Sequence, residues 1–335
     1  MNTNLRHISY CLIASLLFVA CRKESHPSTP DTKSYAISMS PAEVRGGTRA
    51  LINNLADLQT AGFKVYGYKV DKQSYKQQVF TNDGQTVTYD GANGWIYSPV
   101  RYWDRVADYC FAAYAPATLP GGMAVTNKVG ANQTLDFIIP QWQVINGTET
   151  DLIVASSQGA ATEYLNKGGV VNLTFDHLYA QLEVQVLRNA FLVSTYKLTS
   201  LHYKYVPSND NGTYTHDFAT PANSAYTTTI LREDAQSVEM MTGDVGVDPT
   251  PKAETTFKHL VVPFTSIDGG FKIVVGYTVA GTAKTATVAS GLKTLEAGQR
   301  YVLRLNFNSG ADIIPSLTVE DWIPEELDED DKYNW

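Results

Sequence analysis

The chain has 335 residues, 44% apolar, 18% charged and 11% aromatic, with a net charge of −8. Residues 50–335 hold 20 of the basic and 31 of the acidic side chains, and Glu320 to the end holds eight of those acids against one lysine, so the body is close to neutral. That distribution excludes the basic footprint of a nucleic-acid-binding protein, and three cysteines exclude a disulfide framework.

Arg6 and His7 precede an uncharged run, Ile8 to Ala20, that is followed by Cys21. The run is too short to span a bilayer as a helix but has the length of a signal-peptide apolar region. Val19-Ala20-Cys21 is the kind of junction that lipoprotein signal peptidase accepts, since its site must fit a small residue beside a modified thiol. Residues 1–20 are therefore expected to be a signal peptide and Cys21 to carry lipid. An ordinary secretory signal is the competing reading. Arg22 to Ser34 is polar, contains proline and serine and lacks periodicity, which reads as a tether. No later apolar stretch reaches membrane length, so lipid on Cys21 would be the membrane attachment. Once Cys11 leaves with the signal, Cys110 is the remaining thiol; in the aromatic run Tyr109 to Tyr114 it reads as a small core residue.

Tyr35, Ile37 and Met39 alternate as in a half-buried strand, and a short helix is expected over Ala50–Leu58. A second short helix is expected over Gly159–Asn166. In the segment Val171–Val186 the apolar positions run Val171, Leu173, Phe175 and then shift parity to Leu178, Ala180, Leu182, Val184 and Val186. A one-residue slip signals a bulge, or a corner where the chain crosses between sheets. Asn-Asp-Asn-Gly at 209–212 and Asp-Gly-Gly at 268–270 read as hairpin turns. Phe271, Ile273, Val275, Tyr277 and Val279 alternate, as do Tyr301, Leu303, Leu305 and Phe307. The fold class is thus all-β and sandwich-like, with two domains, 50–168 and 169–322, divided at Gly168-Gly169. An acidic tail, 323–335, follows; Pro324 and the run Asp328 to Asp331 make it a poor partner in a β-ladder.

Signals for chemistry are few. The sequence lacks HExxH, GxSxG, P-loop and CxxC motifs, so no enzyme activity, metal or cofactor is expected. His177 beside Asp176 falls at the parity break, where it reads as a polar residue satisfying bulged backbone groups. His216-Asp217 near the 209–212 turn lacks the evenly spaced carboxylates of a calcium loop. Trp95, Trp103 and Trp142 would suit a sugar-stacking platform, but in a sandwich of this size such rings are expected in the core.

Several segments also carry a resemblance. They are the Cys21 junction, Arg49-Ala50, Gly62-Phe63-Lys64-Val65, Trp95 to Pro99 and Trp103, Tyr109 to Pro116, Asp151 to Ala155, Val171 to Leu182, Gly298 to Leu303, and Val319-Glu320-Asp321-Trp322. In this order the chain resembles the fimbrillin family of type V pili, lipoprotein-derived subunits of Bacteroidota-type bacteria. The resemblance implies two tandem transthyretin-like β-sandwich domains on a lipoprotein of the outer membrane. It further implies that an Arg-specific surface protease removes residues 21–49, lipid and first strand together, after Arg49 or, as second choice, Arg45. A strand from a neighbouring fimbrillin subunit would then fill the groove. The function this implies is that of a pilus subunit, structural or accessory, contributing to adhesion. A monomeric surface lipoprotein binding glycan or protein ligands is the alternative.

Overall fold

The structure, a computed structural model, describes residues 35–45, 52, 54–70, 76–128, 133–140, 151–204, 211–227, 237–263, 272–308 and 313–321. The expected signal peptide, Cys21, Arg49, Trp142, the 268–270 turn and the acidic tail lie outside these residues.

In the first half the strands are β1 (Ser38–Arg45), β2 (Phe63–Val70), β3 (Lys76–Gln78), β4 (Gln85–Asp90), β5 (Gly94–Ile96), β6 (Asp108–Ala115), β7 (Ala124–Asn127), β8 (Thr134–Pro140), β9 (Ile153–Ala160) and β10 (Val170–His177). The second half adds β11 (Ala180–Arg188), β12 (Tyr196–Lys204), β13 (Asn211–Asp217), β14 (Ala225–Thr227), β15 (Ser237–Gly246), β16 (Thr256–Val261), β17 (Lys272–Val279), β18 (Thr282–Ala289), β19 (Gln299–Phe307) and β20 (Ile313–Asp321). Short helices at Leu55–Ala61 and Ala161–Asn166 interrupt them. The first starts later than expected because Asn54 is its N-cap, accepting from the amides of Ala56 (2.8 Å) and Asp57 (3.0 Å).

An eight-stranded sheet runs in the order β1-β10-β9-β6-β2-β4-β5, with β3 also on β2. Its central strands are apolar on both faces. Phe63, Val65, Phe111, Ala113, Ile153 and Ala155 enter one core cluster, whereas Tyr66, Tyr68, Ala112, Tyr114 and Val154 enter another. A strand buried on both sides needs cover on both sides. On the second face that cover is a four-stranded sheet, β14-β13-β8-β7, whose Phe137 meets Tyr114 edge-on at 5.5 Å; Phe218, just beyond β13, meets Tyr68 at 5.5 Å.

The second sandwich packs β16-β11-β19-β20 against β15-β12-β17-β18. Phe307 lies between Tyr196 and Tyr277, with ring centres 5.1 and 4.7 Å away. The alternating apolar residues of β11, β17 and β19 supply this core, as their sequence period requires. On the opposite side of β11, Gln181, Glu183 and Gln185 are buried too. Arg300 reaches Glu183 at 2.9 Å, Lys258 at 3.3 Å, and Arg304 donates to Gln185 at 2.8 Å. Burial pushes the Glu183 carboxyl up, but Gln185 and the two cations outweigh it and hold it below its ordinary value.

Two sequence expectations need correcting. The first strand does not end at Met39: β1 continues through Pro41 to Arg45, with a register shift between Pro41 and Glu43, because an edge strand tolerates a residue without an amide donor. Gly168-Gly169 does not precede the second sandwich. Both residues have positive φ (83° and 74°) and close the helix Ala161–Asn166, their amides bonding to Leu165 O and Tyr164 O. The chain then forms β10 in the first sheet and leaves only after His177. The parity shift at that point is the crossing between sheets, where the Leu178 amide donates to Leu152 O at 2.9 Å.

Candidate functional site

The region that combines an exposed strand edge, a cleft and the sequence-predicted cleavage region is the flank formed by β1. Residues 35–37 are tied to the 97–103 segment: the Ile37 amide donates to Arg101 O (2.8 Å), the Trp103 amide to Tyr35 O (2.8 Å), and Tyr97 Oη to Ile37 O (2.7 Å). From Ser38 onward β1 pairs in parallel with β10 alone among the described strands, Ser38 opposite Val170 and Arg45 opposite Asp176. Its sequence places Ile37, Met39 and Val44 inward, all buried against a cluster that includes Phe63, Val171, Leu173 and Phe175.

Arg45 is the last residue of this paired strand. Its guanidinium stands 3.5 Å from Asp176 and 3.7 Å from Glu43, with all three side chains more than half exposed. Ion pairs so placed contribute about 0–1 kcal/mol. Burial raises the Asp176 carboxyl, and Arg45 opposes that shift. Of the two arginines named from the sequence, Arg45 therefore has its backbone in a ladder, while Arg49 lies outside the described residues.

Beyond Arg45 a cleft of about 610 Å³ opens at the junction of the two sandwiches, lined by Arg45, Asp176, Ser156, His216, Tyr214 and Gln299 among others. His216, 4% exposed, stands 2.8 Å from Ser156 Oγ through Nε2 and 3.3 Å from Tyr214 Oη through Nδ1. Burial lowers its proton affinity to about 4 despite Asp217, so the ring is neutral at pH 7 and acts as a hydrogen-bonding node. Asp217 turns the chain, accepting from the amides of Ala219 (3.0 Å) and Thr220 (2.8 Å), as expected of a turn residue. Sequence reasoning did not join Ser156 to His216, because sixty residues separate them and only the sheet pairing brings them together.

A pH dependence follows from His216. Unfolded imidazole binds a proton below about 6.5, whereas the folded ring resists until about 4. Stability from this residue is therefore complete above pH 6.5 and is lost as the pH falls toward 4, by roughly 3 kcal/mol at the acid end. Urea titrations at pH 7 and 4.5 should show this loss, and His216→Gln should reduce it; an unchanged difference in the variant would disprove the assignment.

The other candidates resolve as structural. His177 has a carboxylate partner that the sequence did not suggest: its Nδ1 lies 2.5 Å from Asp151 Oδ2, both side chains fully buried. Asp176, its chain neighbour, points to the opposite side. Trp103 stacks on Tyr164 at 4.7 Å and donates to Gly169 O at 3.1 Å, whereas Trp95 packs on Phe63 and Tyr89, so these two rings form no common platform. Cys110 is half-buried and burial raises its thiol, the reverse of an activated nucleophile. Among the described residues no group of three potential metal ligands occurs, and no helix is long and apolar enough to cross a membrane.

Comparisons with known proteins agree with this architecture. A profile described as fimbrillin-like matches residues 48–322. A fimbrial protein from Bacteroides vulgatus superposes with a TM-score of 0.57 at 16% identity, over 86% of this chain and 99% of its own. A candidate cell-adhesion protein from Parabacteroides distasonis gives 0.50 at 13% identity, over 88% and 99%. The tip fimbrial protein Mfa3 from Porphyromonas gingivalis gives 0.35 at 10% identity, over 84% and 99%. No curated protein matches the sequence. The two best-superposing of these share the all-β sandwich fold with this chain, and the profile spans most of its length: the chain belongs to the fimbrillin-like family.

Proposed function

We propose that this protein is a subunit, structural or accessory, of a cell-surface pilus, exported as a lipoprotein through Cys21 and assembled by exchange of β1 for a strand of a neighbouring subunit. The observation that carries the reading is β1 itself. It fills a core groove with Ile37, Met39 and Val44, yet among the described strands it lies at an edge, paired only with β10 from Ser38 onward. Losing it would leave β10 with unpaired backbone groups and an open apolar groove, both of which a donated strand repairs. Cleavage after Arg49 by an Arg-specific protease would release the strand whole; cleavage after Arg45 would require opening the ladder first. The fold shared with a fimbrial protein, and membership of the fimbrillin-like family, support the same reading.

The test is electrophoresis of unboiled surface extract in SDS. Strand-exchanged polymer gives a ladder, and its N-terminal sequence should begin at Ala50; a start at Cys21 would mean that β1 is retained and would overturn the exchange. Lipidation is checked separately, since radiolabelled palmitate should enter the wild-type chain and not Cys21→Ser. The second reading, a monomeric surface lipoprotein that binds glycan or protein ligands, draws support from the polar floor of the junction cleft. It requires a single band instead of a ladder.

A further inference from the structure

The two strands of the β1–β10 pair do not match in length. In β10, Val171, Leu173 and Phe175 enter the core at every second residue, as a regular strand requires. Over residues 170–175 its neighbour among the described strands is β1 alone, since β9 joins only at Asp176 and His177. The buried positions of β1 are Ile37, Met39, Pro41 and Val44, so its last interval is one residue too long. Met39 lies opposite Val171 and Pro41 opposite Leu173; the register then skips Ala42 and resumes with Glu43 opposite Thr174 and Val44 opposite Phe175. Ala42 is exposed and has no counterpart in β10.

An extra residue interrupts the ladder, and in parallel pairing it is rare. Pro41, just before it, brings no amide donor. Both features fall in the middle of the strand, so β1 supplies apolar burial along its whole length but pairs in two short runs, 38–41 and 43–45. Nothing in β10 calls for the break. A strand with apolar side chains at four successive inward positions would meet Val171, Leu173 and Phe175 in turn without one.

We infer that β1 is a displaceable occupant of its groove, and that the groove selects as replacement a neighbouring subunit's strand with unbroken alternation and no proline. The inference rests on the pilus reading and adds to it a direction for the exchange and a sequence signature for the partner. Such a strand keeps the burial and gains a continuous ladder, so exchange runs downhill. Pro41 and Ala42 are the residues that make β1 the weaker of the two. The competing role for a break in an edge strand is to keep stray strands from adding to it.

Deleting Ala42 from the full chain tests the inference, because every other pair keeps its register while β1 becomes regular. The urea midpoint should rise by roughly 0.3 M, as one added hydrogen bond implies. The SDS-resistant ladder should fall about tenfold, since the strand no longer gives way. Deleting Pro41 instead brings Ala42 opposite Leu173 and should cut the ladder likewise. A midpoint at or below that of the unmodified chain in both variants would overturn the inference, as would a raised midpoint with an undiminished ladder. More polymer or precipitate after deletion would also overturn it and assign the break to edge protection. If the unmodified chain forms no ladder and begins at Cys21, the pilus reading falls and takes this inference with it.

Discussion

A chain begun at Ala50 is expected to lose the cooperative unfolding transition of a chain begun at Tyr35 unless it polymerises. The difference is β1. Ile37, Met39 and Val44 are 1%, 4% and 6% exposed, and full burial of such side chains contributes about 1.5–3 kcal/mol each, together roughly 5–9 kcal/mol. That is of the order of a whole domain's stability, about 5–15 kcal/mol. The shortened chain also exposes Val171, Leu173 and Phe175, which pack under the strand, and leaves the β10 amides unpaired. Urea denaturation at low protein concentration distinguishes the two chains, and a synthetic peptide of residues 35–45 should restore the transition when added in excess. If the Ala50 chain instead unfolds at nearly the same urea concentration, β1 is dispensable and cannot drive exchange.

Asp151→Ala is expected to cost about 3–5 kcal/mol, the usual penalty for breaking a buried pair by removing one partner. Asp151 and His177 contact each other with no solvent access, just where the chain passes from the first sheet to the second. Truncating the carboxylate leaves the imidazole Nδ1 facing a void and loosens the segment that sets the crossing. Asp151→Asn, which keeps the shape and one polar atom, should cost less. The check is the urea midpoint of both variants at pH 7; a loss under 1 kcal/mol for Asp151→Ala would show that the pair is incidental to folding.

How much of this was legible depended on whether the signal was local. Alternation along β17 and β19 appears in consecutive residues, so the all-β class and the second core could be read directly, whereas the parity slip after Phe175 fitted a bulge as well as the crossing that the structure has. Trp103 was assigned to the core from composition and is there. Pro41 hid the second half of β1, because a proline ends an inner strand but not an edge. Gly168-Gly169 suggests a domain boundary, although glycine pairs close helices equally well. The candidate site was the least legible part. Ser156 meets His216, and Asp151 meets His177, only through pairings between distant strands. The same is true of the Glu183 cluster, whose partners Arg300 and Lys258 are set by register. Nothing in the local sequence encodes those distances.

The pairing of β8 with β13 also fixes an order of events. Thr134–Pro140 belongs to the first half of the chain, but the strand beside it, Asn211–Asp217, is made only after β9 to β12. A polypeptide emerging N-terminus first cannot finish its first sandwich until part of its second has followed. During that interval the edge of β8 and the Tyr68 surface under Phe218 stay open to solvent. Severing the chain at Gly168-Gly169 would yield two incomplete, sticky fragments, and the nascent subunit needs shielding until the late strands arrive.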